Sequence, residues 1–147
     1  MKKNILVIAP LLPRHDQASG DLRFFSLMEI LCLSYKVTYI PNTIELNDSK
    51  YLDDLKDMGV LVVPFQKYRS TIMLKRFDIA ILEFYPMASF FCPKLRLMQP
   101  DCLIVTDSVD VHFVRLKKKA ELFRDPEMES EYKKTRRDEL FAYEKSD

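Results

Sequence analysis

Asn4-Ile5-Leu6-Val7-Ile8-Ala9, closed by Pro10, is the stretch that decides the fold. It is an unbroken β-branched and aliphatic run with no polar alternation. Such a strand is covered on both faces, as in the middle of a parallel sheet. A loop of proline, charged and small residues follows and ends at Ala18-Ser19-Gly20. Residues 21–31 then have the pattern of an amphipathic helix. In parallel sheets ligands sit in the crevice beyond the carboxyl ends of the strands. The loop over residues 10–20 is therefore the first place to look for function.

Further along, the alternation continues. Lys36-Val37-Thr38-Tyr39-Ile40 reads as a second strand, stopped by Pro41-Asn42. Asn47-Asp48-Ser49 offers caps for a short helix over residues 51–58, and Gly59 stands at its C-terminal position. Val60-Leu61-Val62-Val63 is a third strand, residues 66–75 a weakly patterned helix, and residues 77–83 a fourth strand. Residues 87–98 predict a helix broken near Pro93, and Cys102-Leu103-Ile104-Val105-Thr106 a fifth strand. Strands alternating with helices at these spacings suit right-handed crossovers. The expected fold class is α/β, a Rossmann-like doubly wound parallel sheet of order 3-2-1-4-5 in one domain over residues 1–147, with a helical C-terminal part. Residues 111–123 and a second helix opened by Pro126 form that part. No strand follows, so the chain reads as cut at an element boundary. An unpaired edge there would invite a homodimer or loosen the last helix.

With 147 residues the chain can bury a real core. A net charge of +1 supplies no global field for nucleic acid. Cys32, Cys92 and Cys102 are scattered in apolar surroundings, outside any C-x-x-C motif, and read as reduced buried thiols. The start Met1-Lys2-Lys3 imitates a signal peptide only faintly, because its apolar run is too short. A cytoplasmic protein is expected, with peripheral membrane contact open.

Two constellations could carry chemistry. In the first loop, Gly20 at a helix N-terminus would let a ligand approach backbone N–H groups, where the helix dipole favours anions. Asp16 could accept hydrogen bonds from a hydroxyl-rich ligand. Neither a dinucleotide fingerprint nor a P-loop is present. The competing reading is a solvated loop with Gly20 as a turn residue. The second constellation, Thr106-Asp107-Ser108-Val109-Asp110-Val111-His112, starts where strand five ends, on the same sheet edge. Its carboxylates and histidine could bind sugar hydroxyls or handle protons. The competing reading makes Asp110 a helix cap and His112 a surface residue. No recognised spacing supports a metal site. The basic run Arg115, Lys117, Lys118 and Lys119 is a solvated helix face or a contact for anionic lipid headgroups.

These residues resemble the N-terminal half of a glycosyltransferase with the two-domain GT-B fold, of the family-4 ("group 1") class. The resembling pieces are residues 13–23 with Asp16, Ser19, Gly20 and Arg23, then Gly59-Val60, Phe77-Asp78, and most specifically residues 104–115 running on to Ala120-Glu121-Leu122. Thr135-Arg136-Arg137-Asp138-Glu139-Leu140 also fits. The resemblance implies a retaining, metal-independent transfer from a nucleotide-sugar donor to a sugar or lipid-linked acceptor, with no cofactor. It implies that this half holds the acceptor and that a second domain holds the nucleotide. On that basis Asp107, Asp110 and His112 would be catalytic, Asp16, Ser19, Gly20 and Arg23 would bind substrate, and this chain alone would be inactive. The chain departs from the pattern in lacking the nucleotide-binding half and in having one glycine where many relatives have two. Two rivals stand beside this reading. One is a stand-alone Rossmann-like binding or partner module without catalysis. The other is a different small α/β enzyme using Asp107 and His112.

Overall fold

The structure, a computed structural model, describes residues 2–147; Met1 of the basic start lies outside the described residues. β1 (Asn4–Ala9) pairs in parallel with β2 (Lys36–Pro41) on one side and with β4 (Ile79–Glu83) on the other. β3 (Leu61–Val62) lies outside β2, and β5 (Leu103–Asp107) outside β4. The order is β3-β2-β1-β4-β5, all parallel, which is a doubly wound Rossmann-like sheet.

Alternation along each strand divides the core in two. Ile5, Val7 and Ala9 face α1 (Ser19–Ser34) and α2 (Ser49–Asp57), where Phe24, Met28 and Leu55 cover them. Leu6 and Ile8 face α3 (Tyr68–Leu74) and α4 (Phe84–Met98), under Ile72, Phe91 and Leu95. Phe24 and Met28 stand one helical turn apart, so both reach the same sheet face. Leu6, Val7 and Ile8 are completely buried, and truncating any of them to Ala costs about 2–5 kcal/mol.

α4 corrects the expected break at Pro93, because the helix runs through it. Proline inside a helix costs about 3 kcal/mol. Phe91, Cys92 and Leu95 around it are all fully buried, and that packing outweighs the cost. β3 is shorter than Val60 to Val63 because only Leu61 and Val62 find ladder partners, at Thr38 and Tyr39. β4 starts at Ile79 rather than at 77, since the Phe77 N–H donates to the Gln99 side chain instead of to a strand. The Asp48 carboxylate does not cap α2; it accepts from the Glu45 N–H and from Arg14. Gly59, at φ 84°, takes the left-handed position after α2.

α5 (His112–Phe123) and α6 (Pro126–Lys145) close the chain. Pro126 opens α6, and Asp125 caps it by accepting from the Glu127 N–H at 2.8 Å. α6 packs on both α4 and α5 and is continuous to its end. Its exit meets the outer edge of β5: the Asp147 N–H donates to the Ile104 carbonyl, and the Ile104 N–H to the Asp147 carboxylate. The outward side chains of β5, Leu103 and Val105, are exposed on the α1 face of the sheet. All three cysteines are free, with Cys92 and Cys102 buried. Among the described residues no helix is long and apolar enough to cross a membrane.

Candidate functional site at the carboxyl end of the sheet

β1, β4 and β5 end side by side at Ala9, Glu83 and Asp107. The sequence places α1 directly above them, through the loop after Pro10. α1 begins without a side-chain cap at Ala18. Its first helical bond is from the Leu22 N–H to the Ala18 carbonyl, so the N–H groups of Ser19, Gly20 and Asp21 have no acceptor among the described residues. Gly20 is a helical residue in that first turn, not the turn residue of the competing reading. A Cβ built there would meet only Val109 Cγ1, at 4.0 Å, an ordinary contact. Neither backbone conformation nor space demands glycine at this position. The same contact shows that the loop after β5 lies against the start of α1. Arg23, one turn further along, spans the gap to Asp107 with Nη2 2.6 Å from Oδ2.

Glu83 occupies the centre of this edge. It is 7% exposed and has no hydrogen-bond or salt-bridge partner among the described residues. Every fully buried side-chain nitrogen or oxygen there is satisfied, so the Glu83 carboxyl reaches a small cleft lined by Pro10, Leu12, Pro13, Asp21 and Phe84. Burial first, then the charges of Asp107 and Asp21, push the carboxyl up to about 8 against a smaller opposing effect of Arg23. The next residue, Phe84, holds φ 64°, a left-handed conformation that a bulky side chain adopts only under constraint. Glu83 was missed in the sequence. Its signal was present: a carboxylate ending the run Ile79-Ala80-Ile81-Leu82, at the strand end where ligands sit.

Asp110 and His112 divide between the two earlier readings. α5 starts at His112 with Val111 in the cap position and no side-chain cap from Asp110. The Asp110 carboxylate turns instead to Arg115, at 3.4 Å. His112 is half-buried, edge-on to the rings of Phe84 and Tyr85 at 5.9 and 5.4 Å, so it borders the Glu83 corner. The α5 N-terminus is capped from another helix. Glu139 of α6, fully buried, accepts from the His112 N–H at 3.1 Å and the Phe113 N–H at 2.9 Å. The Tyr143 hydroxyl donates to the same carboxylate at 2.6 Å and lies 2.8 Å from Ser108 Oγ. Burial pushes Glu139 up, but these hydrogen bonds outweigh it and hold the carboxyl below its ordinary range. Burial, followed by the Glu139 contact, drives Tyr143 up to about 12. Thr135, Glu139 and Ala142 are the buried positions of α6, so Glu139 stands in the apolar stripe. A glutamate in that register was the signal overlooked among the many charges of the helix.

Asp16 is engaged within the chain. The loop that carries it is held down on α2, and the carboxylate accepts from Lys50 at 2.6 Å and from the Tyr51 hydroxyl at 2.7 Å. Lys50 first and Tyr51 second pull it down to about 2. Its neighbours are engaged in the same way: Arg14 with Glu45 and Asp48, and His15 with Asp54 at 2.8 Å. Asp16 therefore ties the loop to α2 rather than facing Asp107. Ser19 is exposed at the first helical position, and its side chain makes no hydrogen bond. The structure thus gathers Gly20, Arg23 and Asp107 at one edge, with His112 at its border. It turns Asp110 outward and Asp16 away.

A second, larger cavity lies at the opposite end of the sheet, between Lys75, Phe77, Gln99 and Cys102. Gln99 fills its polar needs there, accepting from the Phe77 N–H and donating to the Ile72 and Lys75 carbonyls. Burial pushes the Cys102 thiol up to about 11, away from the thiolate form. Among the described residues no group of three or more His, Cys, Asp or Glu side chains is placed to hold a metal ion. No protein-family model, no curated protein and no solved structure matches this chain.

Proposed function

We propose that this chain is the acceptor-side domain of a retaining, metal-independent glycosyltransferase, moving a sugar from a nucleotide-sugar to a sugar or lipid-linked acceptor. The observation that carries the reading is at Gly20. The fold has room for a side chain there, yet the residue lacks one in a helix turn whose three N–H groups have no acceptor among the described residues, on the helix that carries Arg23 to Asp107. A bare backbone at a helix start is what a phosphate or sugar needs for close approach. Arg23 and Asp107 supply a donor and an acceptor beside it, and Glu83 lies between apolar walls, a combination suited to hydroxyl-rich ligands. The donor nucleotide is held mainly by a second domain, and the reaction takes place in the cleft that the two form. Work at the cytoplasmic face of a membrane fits α5, where Lys117, Lys118 and Lys119 are exposed beside Leu122 and Phe123.

Gly20→Ala tests this. Alanine is favoured over glycine in a helix by about 1 kcal/mol, so the variant folds at least as well as the parent. Cells lacking the gene lose one sugar residue from a surface or storage glycan. The parent allele restores it, and the Gly20→Ala allele, expressed to the same level, does not. Glycans unchanged by the deletion, or full restoration by Gly20→Ala, would overturn the reading.

A further inference from the structure

Glu83 carries more than the cleft's general character. It is the last residue of β4, flanked in the ladder by β1 and by Asp107 of β5. The residue is 7% exposed and no hydrogen bond reaches it among the described residues; since no fully buried side-chain oxygen is left without a partner, its carboxyl oxygens reach the cleft. The nearby charged groups are committed elsewhere: Arg23 to Asp107, and Asp21 to the Arg14 N–H at 3.1 Å. With no donor or acceptor from the chain, whatever meets this carboxyl comes from the cleft, and a polar group so largely buried is costly unless it is met there.

The walls narrow down what completes it. Pro10, Leu12, Pro13 and Phe84 present apolar surface, while Asp21 and Asp107 make the corner unfavourable for a second anion. No side-chain set around it suits a metal ion. A carboxyl kept neutral by burial offers one O–H donor and one carbonyl acceptor side by side. An alcohol offers the matching acceptor and donor. Sugars combine such hydroxyls with an apolar ring face that can lie on proline and phenylalanine.

We propose that Glu83 is the residue that grips the acceptor, exchanging a pair of hydrogen bonds with one hydroxyl of a sugar or polyol whose apolar face lies against Pro10, Pro13 and Phe84. This rests on the acceptor-domain reading and names the contact within it. Phe84, at φ 64°, lines the cleft together with Glu83, and its ring meets His112 edge-on at 5.9 Å.

The test is NMR of the whole chain, labelled with carbon-13 at glutamate carboxyls and with nitrogen-15 throughout, so that the Gly20 and Val109 amides report binding both in the parent and in variants that lack the Glu83 carboxyl. It is titrated at high millimolar concentration with methyl glucoside, methyl mannoside, methyl galactoside and myo-inositol. At least one probe should shift the Glu83 carboxyl resonance saturably. Glu83→Ala should weaken that probe about tenfold or more, while Glu83→Gln, whose amide still donates and accepts, should hold it within roughly threefold. The wild-type titration needs no variant to fold, and circular dichroism checks the two that are used. If the Gly20 and Val109 amides shift while Glu83 stays still, or if Glu83→Ala binds like the parent, the Glu83 assignment is overturned and the acceptor cleft stands. If no probe moves any of these resonances, both are overturned.

Discussion

Glu83→Gln should make the protein more resistant to rising pH. In the folded chain the carboxyl keeps its proton up to about 8, against an ordinary value of 4.5. Between those values the folded state holds a proton that the unfolded state has released. Stability therefore falls as pH rises, by about 1.4 kcal/mol per unit for this one group. From pH 5 to pH 7 the parent should lose about 2.5 kcal/mol that glutamine, with no proton to lose, retains. The contribution is fully present below 4.5 and is gone once the pH has passed about 8. The two proteins share every other titrating group, so the difference between them isolates Glu83. Urea unfolding at a series of pH values measures it. With a denaturant slope of roughly 2 kcal/mol per molar, the midpoints should separate by a little over 1 M across that range. Midpoints that run parallel from pH 5 to pH 8 would show that water solvates Glu83 freely and that burial does not hold its proton.

Removing the carboxylate in Glu139→Ala strips two helix N–H groups and the Tyr143 hydroxyl of their acceptor, so it should cost about 2–4 kcal/mol and speed amide exchange in the first turn of α5. Because Glu139 is held below its ordinary range, its contribution is present above that range and fades as acid protonates it, which an acid titration of stability would reveal against the variant. Arg124 ends α5 in the left-handed region at φ 51°, so Arg124→Gly should raise stability by about 0.5–1 kcal/mol, read as a higher melting temperature. UDP and GDP should bind this chain weakly or not at all. Micromolar affinity by calorimetry would sink the assignment of the nucleotide to a second domain.

How far the site could be read beforehand differed from residue to residue. That Gly20, Arg23 and Asp107 meet at one edge was legible because a strand end followed by a helix start is a local pattern, and the parallel order brings such ends together. Where the Asp16 carboxylate turns was not, because a loop carboxylate has no local preference between solvent, ligand and a neighbouring helix. Lys50 and Tyr51 decided it from more than thirty positions away. The cap of α5 was not legible for the same reason. Val111 holds the cap position, and Glu139 on a different helix accepts from the first N–H groups.

By itself the sequence determined the element order, the parallel sheet and its winding. Those follow from the period of apolar residues and from prolines and glycines acting on their nearest neighbours, which are properties of short segments. Only the tertiary structure decided that α4 runs through Pro93, that Glu139 sits unexposed in a helix stripe, and that Glu83, largely buried, has no hydrogen-bond partner among the described residues. Each depends on desolvation and on contacts between distant parts of the chain. A carboxylate's chemistry is set by what surrounds it once the backbone has closed around it.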